Sequence, residues 1–280
     1  MFTRLLIPLD GSKTAEQVMP WARTFADRFK LPVELLAVVD VGAFLTSVDQ
    51  ARRFDKLVEQ GSHQSKVYLE RISGRFAATR VRRSVEQGSA AELIIEKAGA
   101  DKSTLIAMTT HGRSGLNRWL LGSVAEKVLR ATTNPLLLVR TNHGGKASEQ
   151  ASVKSIVVPL DGSALAETVL PTVVRIAKKL GREVFLIRAY SYPYSPFISG
   201  GGHYAVNVNE LMKDIRDQAR NYLEAKIAEQ RKRGVEQISY LLQEGVAADG
   251  IVSVADHTPP RESDRHVQPW QVRCETFGVG

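Results

Sequence analysis

The segment "RLLIPLDGSKTAEQVMPWARTFADRF" at residues 4–29 decides the expected fold, because a second copy, "SIVVPLDGSALAETVLPTVVRIAKKL", occupies residues 155–180. Each copy has an apolar run, then Pro-x-Asp-Gly-Ser, then apolar residues spaced three and four apart. This pattern predicts a short strand (Leu5 to Leu9, and Ile156 to Leu160), a tight turn and an amphipathic helix. The repeat predicts two copies of one domain.

Further strands and helices alternate along both copies. Second strands are predicted at 32–41 and 183–191, which are rich in apolar and β-branched residues. Strands that alternate with helices indicate crossover units, and therefore a parallel sheet covered on both faces. The remaining elements of the first copy are predicted as helices at 47–78, 89–100 and 123–132, and as strands at 79–88, 104–108 and 135–140.

Composition indicates a globular protein of about two domains, with 280 residues, 43% of them hydrophobic and 24% charged. A single cysteine excludes an intramolecular disulfide. No apolar run is long enough for a signal-peptide core or a membrane span, so we expect a cytoplasmic protein without a membrane partner. The net charge of +8 is scattered, which favours solvated surface over weak polyanion binding. No specific nucleic-acid partner is expected.

The residues that follow the strands are the candidates for a site, because open parallel sheets bind ligands beyond their carboxyl ends, where the strand order reverses. Asp10 follows the first strand, and the loop "TTHGRSGLNRWLLGS" (109–123) follows the fourth. Glycines and the free amides of a helix start favour a phosphate. Ser123 can cap the helix, while Arg113 and Arg118 add positive charge.

Each of these residues also has a purely structural interpretation. Asp10 is a good turn former, and Gly122 with Ser123 can be only a helix cap. Arg118 can be solvated charge, and a lone histidine such as His111 is more often a structural hydrogen-bonding group than a catalyst. No P-loop, dinucleotide fingerprint, nucleophile elbow or His-Glu-x-x-His pair is present in the sequence, so binding is favoured over turnover.

Asp10 after the first strand, together with a loop in which nine residues separate Gly112 from Gly122 and Ser123, resembles the universal stress protein family of the ATP-binding, tandem type. Thr109 stands where the family loop has its first glycine. The resemblance implies two tandem Rossmann-like α/β domains, of the flavodoxin and adenine-nucleotide-hydrolase type. Each would have an open parallel five-stranded sheet, and the second would be incomplete.

The resemblance also assigns roles to single residues. It implies that Asp10 holds the ribose hydroxyls of ATP, with or without Mg²⁺, and that backbone near Val38 meets the adenine edge. Residues of the loop and of the following helix would line the phosphates. The full expected site comprises Pro8, Leu9, Asp10, Val38, Thr109, His111, Gly112, Arg113, Gly122, Ser123 and Val124.

The end of the chain departs from the repeat. Where the first copy has residues 105–122, the second has "SDRHVQPWQVRCETFGVG" (263–280). Read one nucleotide later, codons permitted for this tail encode "IAMSSHGRSGVRRLVLG", which matches residues 106–122 at most positions, and the Trp270-Gln271 pair forces the glycine equivalent to Gly112. We therefore expect a single-nucleotide slip in this region. The alternative is an authentic divergent tail.

The expected organisation is a first domain at 1–141 with an intact site, a linker at 142–153, a second, truncated domain at 154–255 and an aberrant tail at 256–280. The leading function is adenine-nucleotide binding in stress response or regulation. The alternatives are a slow ATPase or nucleotidyl-transfer enzyme, and a dimerisation module with a vestigial site.

The last strand of the first domain, "PLLLVR" at 135–140, is expected to lie at the edge of its sheet. In tandem members of the family the final strands of the two domains typically pair, and here the second copy is missing. An apolar edge of this kind recruits another chain. We expect a homodimer through 135–140, and we expect that Leu137→Pro blocks it.

Overall fold

The computed structural model describes residues 1–40, 54–76, 80–111, 121–141, 151, 153–191 and 208–256. The chain divides into two compact units, Met1–Ser152 and Val153–Gly280. The loop glycine Gly112, the residues Arg113 and Arg118, most of the expected linker and the tail from residue 257 onward lie outside the described residues.

Unit 1 alternates strands and helices, as the sequence predicts. Its strands are β1 (Arg4–Pro8), β2 (Val33–Val39), β3 (Val81–Gln87), β4 (Thr104–Thr109) and β5 (Leu136–Val139). Its α-helices are α1 (Met19–Phe29), α2 (Phe54–Ser73), α3 (Ala90–Gly99) and α4 (Ser123–Ala131).

All strand pairs of unit 1 are parallel, in the order β3-β2-β1-β4-β5. The chain runs from β1 outward to β3 on one side, then crosses back to β4 and β5 on the other. The strand order therefore reverses between β1 and β4, which is the point where open α/β sheets bind ligands. The five-stranded parallel sheet expected for the first domain is confirmed.

Apolar side chains from the strands and from two helices hold this arrangement together. Leu6, Leu36 and Ile106 are fully buried and form one core cluster with α3 and α4, including Ile94 and Val128. Burying a side chain of this size contributes roughly 1.5–3 kcal/mol. The central strands β1 and β4 are therefore fixed in place, and so are the positions of the residues at their carboxyl ends.

Unit 2 repeats the first half of this plan. Its strands are β6 (Ser155–Pro159), β7 (Glu183–Tyr190) and β8 (Ile238–Glu244), and its helices are α5 (Ala164–Glu167), α6 (Leu170–Leu180), α7 (Val208–Lys232) and α8 (Ala247–Asp256). The sheet has the order β6-β7-β8, all parallel. Among residues described up to Asp256, no strand pairs with the outer side of β6. The incomplete second sheet is thus confirmed for the described part.

Two details differ from the sequence-based expectation. The helix expected after the first turn begins as a 3-10 helix at Ala15–Val18, and α1 starts only at Met19. Pro20 is the cause, because proline lacks an N–H and fits the first turn of an α-helix better than its interior. The expected helix at 47–78 is described as Phe54–Ser73, with residues 47–53 outside the described ranges.

The register also corrects the substitution chosen at the sheet edge. The N–H of Ile106 donates to the carbonyl of Pro135, and the N–H of Thr110 donates to that of Val139, both at 2.9 Å. Backbone groups alternate in direction along a strand, so Leu137 also faces β4 and Leu138 faces outward. The expectation that Leu137→Pro acts at the outer edge is therefore wrong, because this change would break the bonding between β4 and β5 within unit 1.

Within the described ranges, no helix combines the length and the apolar character that a membrane span requires.

Candidate functional site

The ends of β1 and β2 reach the same level of the sheet. Pro8 pairs with Leu36, and the N–H of Leu9 continues the ladder by donating to the Leu36 carbonyl at 2.8 Å. Two residues further along each chain, Asp10 and Val38 therefore lie at equal height. Asp10 and Val38 are both half-buried, whereas Leu9 is only 3% exposed. This places the first part of the expected site at one edge.

The end of β4 meets β1 on its other side. Leu6 pairs with Ile106, so the register puts Thr110 at the height of Asp10. β1 and β4 are the two strands between which the strand order reverses. Asp10 thus stands at the switch point, as the sequence analysis expects.

Asp10 forms a tight turn as well. Its Oδ1 accepts a hydrogen bond from the N–H of Ser12 at 2.9 Å, and the Ser12 Oγ accepts one from the N–H of Ala15 at 3.0 Å. Gly11, between them, has φ of 84°, a conformation that glycine adopts at low cost. An ionised carboxylate can accept about four hydrogen bonds, so this turn and a ligand role are compatible. The turn fixes the direction of the carboxylate.

Glu16 links the turn after β1 to the carboxyl end of α2, and the sequence analysis did not single it out. Glu16 is 8% exposed, and its carboxylate binds Arg71 at 3.2 Å and Arg75 at 3.0 Å. Glu16 has a counterpart, Glu167, at the same place in the second copy. A charged residue repeated in both copies of an otherwise apolar stretch is the signal that could have identified it.

Tyr68 of α2 lies beside the same turn. Burial, and then the carboxylates of Glu16 and Asp10, raise the pKa of its phenol. Its hydroxyl is buried and has no hydrogen-bond partner within the described residues. Tyr68 therefore stays neutral and keeps its proton near Asp10.

The residues after β4 are tied to each other and to the end of β5. The Oγ1 of Thr109, the residue in place of the family's first glycine, donates to the His111 carbonyl at 2.6 Å. The His111 Nδ1 lies 3.1 Å from the Thr110 Oγ1 and 3.4 Å from the Thr141 Oγ1. These contacts agree with the structural interpretation of His111.

The start of α4 is anchored to β4 by backbone alone. The N–H of Gly122 donates to the carbonyl of Thr110 at 2.8 Å, and the Gly122 carbonyl accepts the helix's first bond, from Glu126, at 2.9 Å. Gly122 is the N-cap residue, in an extended conformation. Ser123 is the first residue of the helix, so its expected role as the cap is wrong.

An α-helix leaves the N–H groups of its first turn without acceptors inside the helix. In α4 these belong to Ser123, Val124 and Ala125, next to the end of β4. Val124 packs against the same core cluster as Val38 and Leu121, which brings the ends of β2 and α4 to one face of the sheet. The arrangement can bind an anion at α4 and hydroxyl groups at Asp10.

Unit 2 reproduces only the first strand's part of this arrangement. The Oδ1 of Asp161 accepts from the N–H of Ser163 at 2.8 Å, and Ser163 caps α5 through Ala166 at 3.1 Å. Hydrogen bonds from the hydroxyl and backbone of Ser163 hold the pKa of Asp161 below its usual range. The described residues of unit 2 contain no counterpart of β4 or α4 beside Asp161.

Known proteins share this architecture. The model of the universal stress protein family matches residues 1–140. A universal stress protein of Methanocaldococcus jannaschii is 29% identical over 142 residues, which are 50% of this chain and 83% of the relative.

One solved structure extends the fold similarity to both units. A universal stress protein from Archaeoglobus fulgidus covers 90% of this chain and 82% of its own, with a TM-score of 0.65 and 18% identity, which supports the fold alone. Another structure, of a universal stress protein in complex with cAMP, covers 50% of this chain and 99% of its own, with a TM-score of 0.40 and 20% identity. The repeated strand and turn, the five-stranded sheet and the match over residues 1–140 lead to one conclusion: the chain belongs to the universal stress protein family.

Proposed function

We propose that the chain binds one adenine nucleotide, ATP, at the carboxyl edge of unit 1, and acts as a nucleotide-dependent protein of stress response or regulation in the cytoplasm. The bond between the N–H of Gly122 and the Thr110 carbonyl carries this proposal, because it sets the first turn of α4 beside the switch point. A helix start attracts phosphate through its free N–H groups and its positive dipole end. Asp10 supplies acceptors for hydroxyl groups at the same edge.

Different site residues would bind different parts of the nucleotide. Asp10 would hold the ribose hydroxyls, backbone at Val38 would meet the adenine edge, and the N–H groups of Ser123 and Val124 would bind the phosphates. Gly112 and Arg113 belong to the proposed site from outside the described residues.

Other described residues build the edge rather than bind to it. Pro8 and Leu9 lead into it, and Thr109 and His111 order the start of the phosphate loop. Within the described ranges, no three His, Cys, Asp or Glu side chains are grouped to hold a metal ion. If Mg²⁺ accompanies the nucleotide, the phosphate oxygens would be among its ligands.

The phosphate end of the site can be tested through Gly122. Gly122→Val places a branched side chain beside the N–H groups of the first turn. We expect ATP affinity to fall about ten- to a hundredfold, because the displaced phosphate loses charge-assisted hydrogen bonds. Isothermal titration calorimetry of the full chain measures this.

The matched control is Gly99→Val, at the end of α3, where a Cβ meets nothing within 4 Å. Its ATP affinity should equal that of the wild type. Denaturing the purified wild-type protein should also release an adenine nucleotide, which mass spectrometry would detect. Wild-type protein that carries no nucleotide and gives no heat with ATP would instead support a vestigial site.

We also propose that the chain forms a homodimer through β5. β5 is the edge strand of its sheet, and its residues Leu136 to Leu138 are only half-buried within unit 1. The outward backbone groups of Leu136 and Leu138 need partners, and a second β5 across a twofold axis supplies them.

A further inference from the structure

A cavity of 460 Å³ lies in unit 2 at the carboxyl ends of β7 and β8. One wall is formed by Tyr190 and Glu244, which are partners in the register of these strands. The other wall is the first part of α7, which contributes Lys213, Arg216 and Arg220 from one face of the helix. Tyr190 is equivalent to Val39, which lies against Gly61 of α2, whereas Val38 of the candidate nucleotide site packs with the cluster of α3 and α4. The cavity therefore lies on the opposite face of the sheet from a counterpart of the nucleotide site.

At the same place in unit 1, the described part of α2 packs directly on β2. Pro8 pairs with Leu36 and Pro159 with Ile187, so the residue equivalent to Tyr190 is Val39. There α2 approaches β2 through Gly61, where an added Cβ would lie only 3.2 Å from the Val39 Cγ1. Direct packing of helix on strand in unit 1 is replaced in unit 2 by an aromatic ring, long basic side chains and open space.

The charges around the cavity are unequally neutralised. Arg220 pairs with Asp217 of its own helix at 3.1 Å. Glu244 faces the Tyr190 hydroxyl, and burial, followed by this carboxylate, raises the pKa of the tyrosine, which therefore stays neutral. Lys213 and Arg216 remain as the positive charges of the helix wall.

Arg216 lacks a hydrogen-bond acceptor for its Nε in the described part of the chain, and this is the most direct sign of a ligand in the cavity. Its Nε is buried and has no hydrogen-bond partner among the described residues. A buried guanidinium N–H without an acceptor is unfavourable, and the acceptor that suits its planar fork is a carboxylate or phosphate oxygen. Lys213, one helical turn away, adds a second cation, so the lining keeps an excess of one positive charge after the Glu244 carboxylate is counted, and this excess favours an anion such as a phosphate.

We propose that this cavity binds the phosphate group of a small phosphorylated molecule, with Arg216 and Lys213 as its ligands. The volume exceeds what an inorganic ion needs, and Tyr190 and Met212 offer an apolar surface to a carbon skeleton. A phosphate monoester with a small, flat organic group fits both walls. This assignment rests on unit 2 alone and does not depend on the nucleotide proposal.

Phenyl phosphate and inorganic phosphate are suitable probes, titrated into the full chain at low ionic strength by calorimetry. We expect saturable binding of both, with phenyl phosphate the tighter if the organic group packs on Tyr190. Equal affinities would identify free phosphate as the ligand. Arg216→Met should weaken binding about tenfold or more, and Arg216→Lys should lose less, because it keeps the charge but not the fork.

Lys232→Met, an exposed change at the other end of α7, is the control for lost charge and should bind like the wild type. Arg216 and Lys213 both belong to unit 2, so weaker binding by variants of these residues separates this site from unit 1. If Arg216→Met does not fold, Lys213→Gln at an exposed position should still weaken binding severalfold. Absence of saturable binding by the wild type, or unchanged binding by Arg216→Met or Lys213→Gln, would overturn the proposal.

Discussion

Glu34 is a charged residue in the core of unit 1, and its neighbours show how single residues secure the sheet. Its side chain is 5% exposed and binds the Arg4 Nη1 at 2.6 Å, while the Ser84 Oγ donates to it at 2.9 Å. Arg4, Glu34 and Ser84 lie on β1, β2 and β3 respectively. The ion pair and the hydrogen bond therefore link three adjacent strands, near the amino ends of β1 and β2 and at the middle of β3.

Removing the arginine alone should be costly. Arg4→Met leaves the Glu34 carboxylate buried without its main partner, which typically costs about 3–5 kcal/mol. Hydrogen exchange of the β2 amides reports the stability of unit 1 separately from unit 2. The double variant Arg4→Met with Glu34→Leu should recover most of the loss. A single variant as stable as the wild type would show that solvent reaches Glu34.

A second cluster connects elements of unit 2. Glu167, at the end of α5, accepts a hydrogen bond from the Tyr222 hydroxyl at 2.9 Å and one from the Lys226 Nζ at 2.5 Å. Both partners are on α7, and the Arg188 guanidinium of β7 lies 4.7 Å from the centre of the Tyr222 ring. Two helices thus meet at one carboxylate, and β7 joins the cluster through the Tyr222 ring.

This cluster predicts a pH-dependent effect. The hydrogen bonds from Lys226 and then Tyr222 lower the pKa of Glu167, and Glu167 raises the pKa of Lys226. The stabilisation is therefore fully present above the unfolded carboxyl pKa, and is lost as the pH falls through the lowered value. At neutral pH the lysine is charged in both states, so the interaction is complete.

Glu167→Gln should consequently lower the stability of unit 2 at neutral pH and make little difference in acid. Hydrogen exchange of the β7 amides at neutral pH, and thermal unfolding at both pH values, measure this. Glu236→Gln, at an exposed position before β8, is the control. A Glu167→Gln effect of equal size at both pH values would contradict the assigned ion pair.

At the scale of elements, the sequence predicts most of unit 1. The repeat locates β1 and β6. Apolar patterning locates β2 and β4, because strands buried on both faces need apolar residues at nearly every position. The sequence pattern does not predict the 3-10 helix before Met19 or the N-cap at Gly122, because both depend on local backbone hydrogen bonding. The cavity beside Tyr190 was missed for another reason: it depends on how closely α7 approaches β7, which no spacing of residues encodes.

At the scale of the whole molecule, the dimer proposal makes a prediction about β5. Leu138→Pro removes a backbone donor that faces outward and should give monomers, as measured by light scattering at micromolar concentration. Leu137→Pro is the matched comparison: it removes a donor facing β4 and should destabilise unit 1 itself. A wild-type chain that is monomeric and soluble would contradict a dimer through β5.

In the proposed function, unit 1 holds the working nucleotide site and unit 2 does not. Asp10 and Asp161 form the same turn, with bonds of 2.9 and 2.8 Å, so substituting each in turn removes the same local structure. Only Asp10 has β4 and α4 beside it within the described residues. The two aspartates are therefore matched probes of the two units.

The most direct measurement is calorimetric titration of ATP into the wild type, Asp10→Ala and Asp161→Ala. We predict about one ATP per chain, a loss of roughly ten- to a hundredfold in affinity for Asp10→Ala, and wild-type affinity for Asp161→Ala. Weakened binding by Asp161→Ala with unchanged binding by Asp10→Ala, or two equivalent ATP sites per chain, would contradict the account.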